Sequence, residues 1–269
     1  MSALPAFHIH WDTWGLIVAL ALYLEFGVSR LASLYAPQGE PPITKRQRQA
    51  YYAGLLLLGL VSTWPIHDIG ETSLFTFHMI EHISMSLAVP PLLLYGAPWW
   101  LIRATVKPIL PLMRWLTHPL IALLLFNVVL AGLHYEVFIE AMISSELAHF
   151  GVHAALFISA ILMWWPVMGP IPDLPRLEPL PRMGYLFLQS LVPTIPAAFF
   201  TFASGPVYDI YDSFDHLFGW STVTDQTIAG LIMKLGGGLI LWTAIAITFF
   251  RWNAEEERLD RPKPVSRVH

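Results

Sequence analysis

Seven blocks of apolar residues, each closed by turn or charge signals, divide the chain. They run about 14–34, 49–64, 73–94, 119–134, 147–165, 183–202 and 226–250. A helix needs roughly 20 apolar residues to cross a hydrocarbon core about 30 Å thick, so each block reads as a membrane-spanning helix. Proline marks many of the boundaries. Pro65 follows the second block, Pro90 and Pro91 lie near the end of the third, and Pro119 opens the fourth. Pro166, Pro170, Pro172 and Pro175 are expected to stop the fifth. Pro193 and Pro196 lie inside the sixth and should kink it, because each removes a donor and clashes with the carbonyl four residues back. The second block is short, which predicts little tilt or a thinned bilayer. The expected architecture is all-α: one membrane domain over residues 1–269, a seven-transmembrane-helix bundle with 251–269 as a tail.

Composition agrees. Of 269 residues 55% are hydrophobic and 13% charged, with mean hydropathy +0.56. A soluble domain carries about 25% charged residues, so a water-facing surface is not available. Cys is absent, which excludes disulfides and thiolate ligands. No basic stretch interleaved with aromatics suggests nucleic acid. The N-terminus lacks the positive n-region of a cleavable signal, and its first block is long enough to remain as a helix.

Lys and Arg alternate from loop to loop. Lys45, Arg46 and Arg48 follow the first span, Arg103, Lys107 and Arg114 the third, and Arg176 and Arg182 the fifth. Arg251, Arg258, Arg261, Lys263 and Arg267 follow the seventh. The N-terminus and the three remaining loops have none, and carry Asp12, Asp68, Glu71, Glu136, Glu140, Asp209, Asp212 and Asp215 instead. By the positive-inside rule the N-terminus is outside and the C-terminus cytoplasmic, in a multi-pass protein of the cell (inner) membrane.

Eleven histidines then carry the chemistry. His118 and His269 fall on the cytoplasmic side. The other nine, His8, His10, His67, His78, His82, His134, His149, His153 and His216, fall in outer segments or in the outer half of a span. At 1.5 Å per residue His78 and His82 lie roughly 8–14 Å below the outer boundary, and His149 and His153 roughly 3–9 Å below it. His134 ends the fourth span, so three helices offer imidazoles at overlapping depth. His78/His82 and His149/His153 are i, i+4 pairs, each on one helix face. Met85 extends the first stripe by seven residues. Two pairs supply four nitrogen ligands, with His134 or Met85 as a fifth. Imidazole suits Zn, Cu, Fe and Ni, and thioether favours Cu(I). The set therefore leans towards copper, with zinc open.

Other residues read more plainly. His8 and His10 form a mobile terminal pair, expected to be solvated, with a role as accessory entry ligands the alternative. His67 and His216 are loop histidines, with a part in metal entry the alternative. Met79, Met142 and Met163 are packing residues. Lys234, inside the seventh span, calls for an anion, and Glu81 or Asp225 is the expected partner. The alternative for such a carboxylate is to fix a ligand imidazole. Glu25 also lies within a span. Gly236, Gly237 and Gly238 allow close backbone approach or a bend. Trp99–Trp100 and Trp164–Trp165 fit interfacial belts.

His78-Met79-Ile80-Glu81-His82, running into Pro90-Pro91-Leu92-Leu93-Leu94-Tyr95-Gly96-Ala97-Pro98, resembles the multi-span CtaG family of cytochrome c oxidase assembly factors. The resemblance continues through His134, through His149 and His153 ahead of Trp164-Trp165-Pro166, and through Asp225-Gln226 with Ala229-Gly230. It covers about residues 51–252. It implies a role in maturing haem–copper oxidases by carrying or inserting copper, with His78, His82, His134, His149 and His153 as the metal-handling residues. The expected partners are a cytochrome c oxidase subunit, membrane lipid and a periplasmic copper donor, in a ligand-exchange role without turnover. The rivals are three. A seven-span zinc hydrolase of the progestin-receptor-like type would use metal-activated water, on the cytoplasmic side. A bis-His haem protein would ligate iron axially. A metal transporter would need ligands continuing to the inner face, where His118 stands alone.

Overall fold

Each apolar block folds as helix, and no strand occurs among the described residues, 4–214 and 216–260 of this computed structural model. Asp215, Arg261, Lys263, Arg267 and His269 lie outside them, as do the side chains of Glu140 and Asp209. The first span is α1 (Trp11–Tyr35). The second begins as α2 (Lys45–Val61) on a capping box, in which Thr44 Oγ1 accepts from Gln47 N while Gln47 Oε1 accepts from Thr44 N. Such a box satisfies two otherwise orphaned donors.

The second span does not end at Trp64. Pro65 is the N-cap of a further helix, α3 (Ile66–Thr72), where its missing N–H costs nothing. The apparent shortness of this span is therefore a break, and Lys45–Thr72 together have membrane-crossing length.

The third span is α4 (Phe75–Ile83), a π-helical turn (Ser84–Ala88) and α5 (Val89–Gly96). The connection that follows is itself helical: α6 (Trp99–Val106) and α7 (Leu110–Leu116) lead to α8 (Pro119–Gly132) and α9 (Glu136–Ser144). α8 has only 14 residues, and it reaches spanning length only as a pair with 99–116, bent by 81°. Six helices are thus long and apolar enough to cross a membrane, or seven if that bent pair is one span.

α10 (Glu146–Met168) starts on Ser145, whose Oγ accepts from Ala148 N. It runs through Pro166 and stops at Gly169, in the left-handed region (φ 53°). The four prolines therefore do not stop the fifth span at 165; glycine does so four residues later, in the C-terminal role that suits it. The sixth span breaks at its prolines into α11 (Pro179–Leu191) and α12 (Thr194–Phe202), with Pro193 as the N-cap of α12. A short α13 (Asp209–Asp212) precedes the last span, α14 (Thr222–Leu231), a second π-helical turn (Ile232–Gly236) and α15 (Gly237–Asp260). The final helix outlasts the expected end at 250 by ten residues.

The bundle packs α2 along α5, α8 along α10, α11 along α15 and α12 along α14. α4 lies among α3, α14 and the second π-turn. Leu24, Leu156, Met163, Leu186 and Phe200 are among its wholly enclosed core residues, and Met79 and Met142 are buried as packing residues too. Trp100, Trp164 and Trp165 are each 3% exposed, which corrects the interfacial-belt reading for three of those four indoles. Trp164 donates to Ser86 O and Trp100 to Pro42 O, so one ring ties α10 to the third span and the other ties α6 to the connection ahead of α2.

Tertiary contacts sort the connections into two ends. At one end His10 meets Asp68, Tyr208 donates to His134 O, and His149 meets Glu71. At the other, Arg103 grips Asp173 through two hydrogen bonds of 2.6 and 2.9 Å. There Arg103 holds the Asp173 carboxyl below its usual carboxylate range. This grouping matches the alternation of basic and acidic connections along the chain.

Candidate metal centre

Helix α4 is the floor of the site. Its first N–H groups have no partner within the helix, and Asp225 on α14 supplies one: its carboxylate accepts from Phe75 N at 2.6 Å and Thr76 N at 3.0 Å. Thr76 Oγ1 returns a bond to Asp225 O. Charge-assisted bonds of this kind contribute about 1.5–3 kcal/mol each. Asp225 therefore seats the helix bearing His78, Glu81 and His82, and does not pair with Lys234. Lys234 donates to Thr194 Oγ1 and Ser190 O, so the ion pair expected for it with Glu81 or Asp225 is not formed either way. A lysine with a flexible stem satisfies its donors on nearby helix-end oxygens, which frees both carboxylates for other tasks.

α3 meets α4 at Gly70. A Cβ there would fall 2.7 Å from His78 N and 3.0 Å from His78 Cα, so only glycine lets the helices touch. The contact brings His67 of α3 over Glu81 of α4. His67, 6% exposed, donates from Nδ1 to the Glu81 carboxylate, at 2.9 and 3.1 Å from its two oxygens. Glu81 is 0% exposed. From α10, His149 sends Nδ1 to Glu71 Oε1 at 2.6 Å, and His153 Nδ1 faces Glu81 Oε1 at 3.7 Å.

An ionised carboxylate only accepts hydrogen bonds. In His149 the ring nitrogen turned to it is therefore the protonated one, and the opposite nitrogen keeps a lone pair. His67 faces carboxylates with both nitrogens, Glu81 through Nδ1 and Glu71 through Nε2 at 3.4 Å, so an ion bound there would take the place of its Nε2 proton. The Nε2 atoms of His149 and His153 are buried and have no hydrogen-bond partner. The same holds for His82 Nε2. Leaving such a group unpaired costs about 1–3 kcal/mol, and three close together form an arrangement that a cation would satisfy.

His67, His149 and His153 each offer one ligand atom, and the three atoms lie within 4.8 Å of one another. Their rings meet edge to face, His67 to His149 at 5.1 Å, His67 to His153 at 5.7 Å, and His149 to His153 at 4.3 Å between centroids in a more tilted pose. His82 stands next to His153 at 5.2 Å, and His78 next to His82 at 4.1 Å. Asp68, Glu71 and Glu81 add negative charge, and no Lys or Arg among the described residues forms an ion pair with any of them. Three imidazoles beside carboxylates fit a transition ion by donor chemistry, with unpartnered Nε2 atoms on His149 and His153 and with His67 able to ligate on giving up one ring proton.

The predicted ligands separate in space. His149 and His153 enter the three-imidazole group, and His82 and His78 extend from it along α4. His134 lies past the end of α8, its Nδ1 2.6 Å from Leu130 O and its ring against Phe200. It shares a cavity with His82, but its ring contacts no other histidine in the group. Met85 points elsewhere and its sulfur accepts from Ser62 Oγ at 3.8 Å. The seven-residue return holds for an α-helix; the π-turn at Ser84–Ala88 widens the coil and rotates Met85 off the histidine stripe. His216 Nε2 is hydrogen-bonded with Thr222 Oγ1.

His67 is the residue that sequence reasoning undervalued. Its signal was His67 and Glu71 at i, i+4, obscured because Pro65 read as the end of a helix when it begins one.

The family model for cytochrome c oxidase caa3 assembly factors (Caa3_CtaG) matches residues 21–255. A Mycobacterium leprae (strain TN) protein described as uncharacterized is 23% identical over 238 residues, which cover 78% of this chain and 34% of that protein. The chain thus spans about a third of the length of that curated relative. No solved structure matches it.

Proposed function

The chain belongs to the cytochrome c oxidase caa3 assembly factor family, and from that premise we propose that it binds copper at His67, His149 and His153 and delivers it to the oxidase. The observation that carries this reading is the pair of buried, partnerless Nε2 atoms on His149 and His153, next to His67, with carboxylates behind the rings. Imidazole serves both oxidation states of copper, and Cu(II) heads the affinity order of the divalent first-row ions. Here copper is cargo, so the site has to release as well as hold.

Glu71 is the most open member, its side chain 30% exposed against 13% for both His149 and His153. A partner's ligands approach most readily from the Glu71 end. His82 and His78 provide nitrogen donors deeper along α4. Positive-inside charge bias puts that end outside, facing the periplasmic copper donor and the oxidase subunit, in the inner membrane. Zinc is the competing cargo, since three imidazoles suit it equally. The hydrolase and haem readings predict a different outcome in the same experiment.

The test is elemental analysis of the purified chain after separate equilibration with Cu(I), Cu(II) and Zn(II), with an optical spectrum alongside. Copper retained in preference to zinc, with one equivalent fewer in His149→Ala/His153→Ala, and a spectrum free of a Soret band support the proposal. Zinc retained exclusively would redirect it to the hydrolase, and an intense Soret band to haem.

A further inference from the structure

We propose that His8, His10 and Asp68 form a second metal site, which captures a divalent transition ion at the mouth of the bundle and passes it inward through His10 and His67. The transfer half rests on the inner site proposed above; the capture half does not.

The sequence suggests a loose terminal pair, and the structure fixes it. Trp64 Nε1 donates to Pro5 O at 3.0 Å, and the Phe7 ring stands edge-on to Trp64 at 5.9 Å. The extended segment is thereby held over α3. His10, at the N-cap of α1, places Nε2 3.0 Å from Asp68 Oδ2. His8, two residues earlier and exposed, lies 5.0 Å from the His10 ring. One ligand atom from each of the three lies within 4.8 Å of the others. Asp68 forms no ion pair with Lys or Arg among the described residues.

The His10 ring is 4.5 Å from His67, edge to face. The two ligand groups therefore meet at adjacent rings, and an ion can exchange one donor at a time without entering bulk water. Two nitrogens and one carboxylate oxygen suit Cu(II) or Zn(II) better than Cu(I). The inner group offers nitrogen from every ring, which Cu(II) prefers, so the ion moves inward with its oxidation state unchanged. No reductant is required.

The test uses the full chain, stripped of metal and titrated with Cu(II). Wild type takes up two equivalents. His8→Ala/His10→Ala takes up one, and Asp68→Asn also loses the outer equivalent while keeping the three imidazoles inside. His149→Ala/His153→Ala keeps the outer equivalent alone. Followed by stopped flow, filling of the inner site slows at least about tenfold in His8→Ala/His10→Ala, because a captured ion presents a high effective concentration to its neighbour. Unchanged stoichiometry in both His8→Ala/His10→Ala and Asp68→Asn overturns the second site. A lost equivalent with an unchanged filling rate overturns the transfer. Two equivalents retained by His149→Ala/His153→Ala would instead sink the inner site and leave capture standing.

Discussion

Glu81 Oε2 lies 2.9 Å from Nδ1 of His67, a bond between two residues of different helices that are both buried. A carboxylate taken wholly out of water is costly unless it is paired, and here imidazole nitrogens are its side-chain partners among the described residues. The bond fixes the Nδ1 proton and the ring plane of His67, and the same carboxylate faces His153. Replacing Glu81 by Gln keeps the shape and removes the charge. Loss of such a supporting carboxylate typically costs 10–100-fold in metal affinity. Competition titration of Glu81→Gln against a calibrated chelator should show a fall of about that size, with helix content by circular dichroism unchanged. Equal affinity would show that Glu81 plays no part in the site.

Gly70 makes this bond possible by close approach. In Gly70→Ala the added methyl would stand against the His78 backbone, so α3 must move away and carry His67 off Glu81. Metal affinity is expected to drop at least about tenfold, and small-to-large insertion to cost about 1–3 kcal/mol. Gly132→Ala, where nothing lies within 4 Å, is the control and should change neither. If the two variants behave alike in affinity and in thermal midpoint, the helix contact does not set the site.

His153→Leu should separate stability from function. The imidazole Nε2 is buried and unpaired, a cost of about 1–3 kcal/mol that an apolar side chain of similar volume does not carry. Metal-free His153→Leu is therefore expected to melt at or above the wild-type temperature. In a His8→Ala/His10→Ala background the chain with His153 is expected to gain about 2.7 kcal/mol at a metal concentration one hundred times Kd, and the His153→Leu form almost none. Differential scanning in detergent measures both. A metal-free variant that melts well below wild type would mean that His153 serves packing first.

Sidedness has a clean assay because the chain has no Cys. Val137 is exposed at the end bearing the histidines, and Arg258 is exposed on the last helix. Val137→Cys should react with a membrane-impermeant maleimide on intact cells, and Arg258→Cys only after permeabilisation. The reverse pattern would put the metal centre in the cytoplasm and remove the positive-inside argument for an external donor.

Much of this was legible in the chain itself. Apolar blocks gave the helical positions, and i, i+4 spacing placed His149 with His153 and His78 with His82 on shared faces. The three-imidazole group was only half visible. His67 needed the knowledge that Pro65 caps a helix, and that is settled by packing of α3 on α4, not by local preference. Met85 dropped away because a π-turn changes angular phase, which a strict seven-residue count misses. Lys234 found hydroxyl and carbonyl oxygens instead of a carboxylate, a choice made by which helices adjoin. Trp164 and Trp165 read as boundary residues from their neighbours in sequence, but α10 runs on past them and both are buried, Trp164 against Ser86 of the third span. Charge alternation carried further, since Arg103 and Asp173 meet at one end and His10 and Asp68 at the other.

X-ray absorption at the copper edge of His8→Ala/His10→Ala loaded with one equivalent addresses the three-imidazole site most directly. The account predicts a first shell of nitrogen, with the multiple scattering that marks imidazole and no sulfur contribution. A sulfur shell, pointing to Met85, or a shell of oxygen without imidazole scattering, would contradict it.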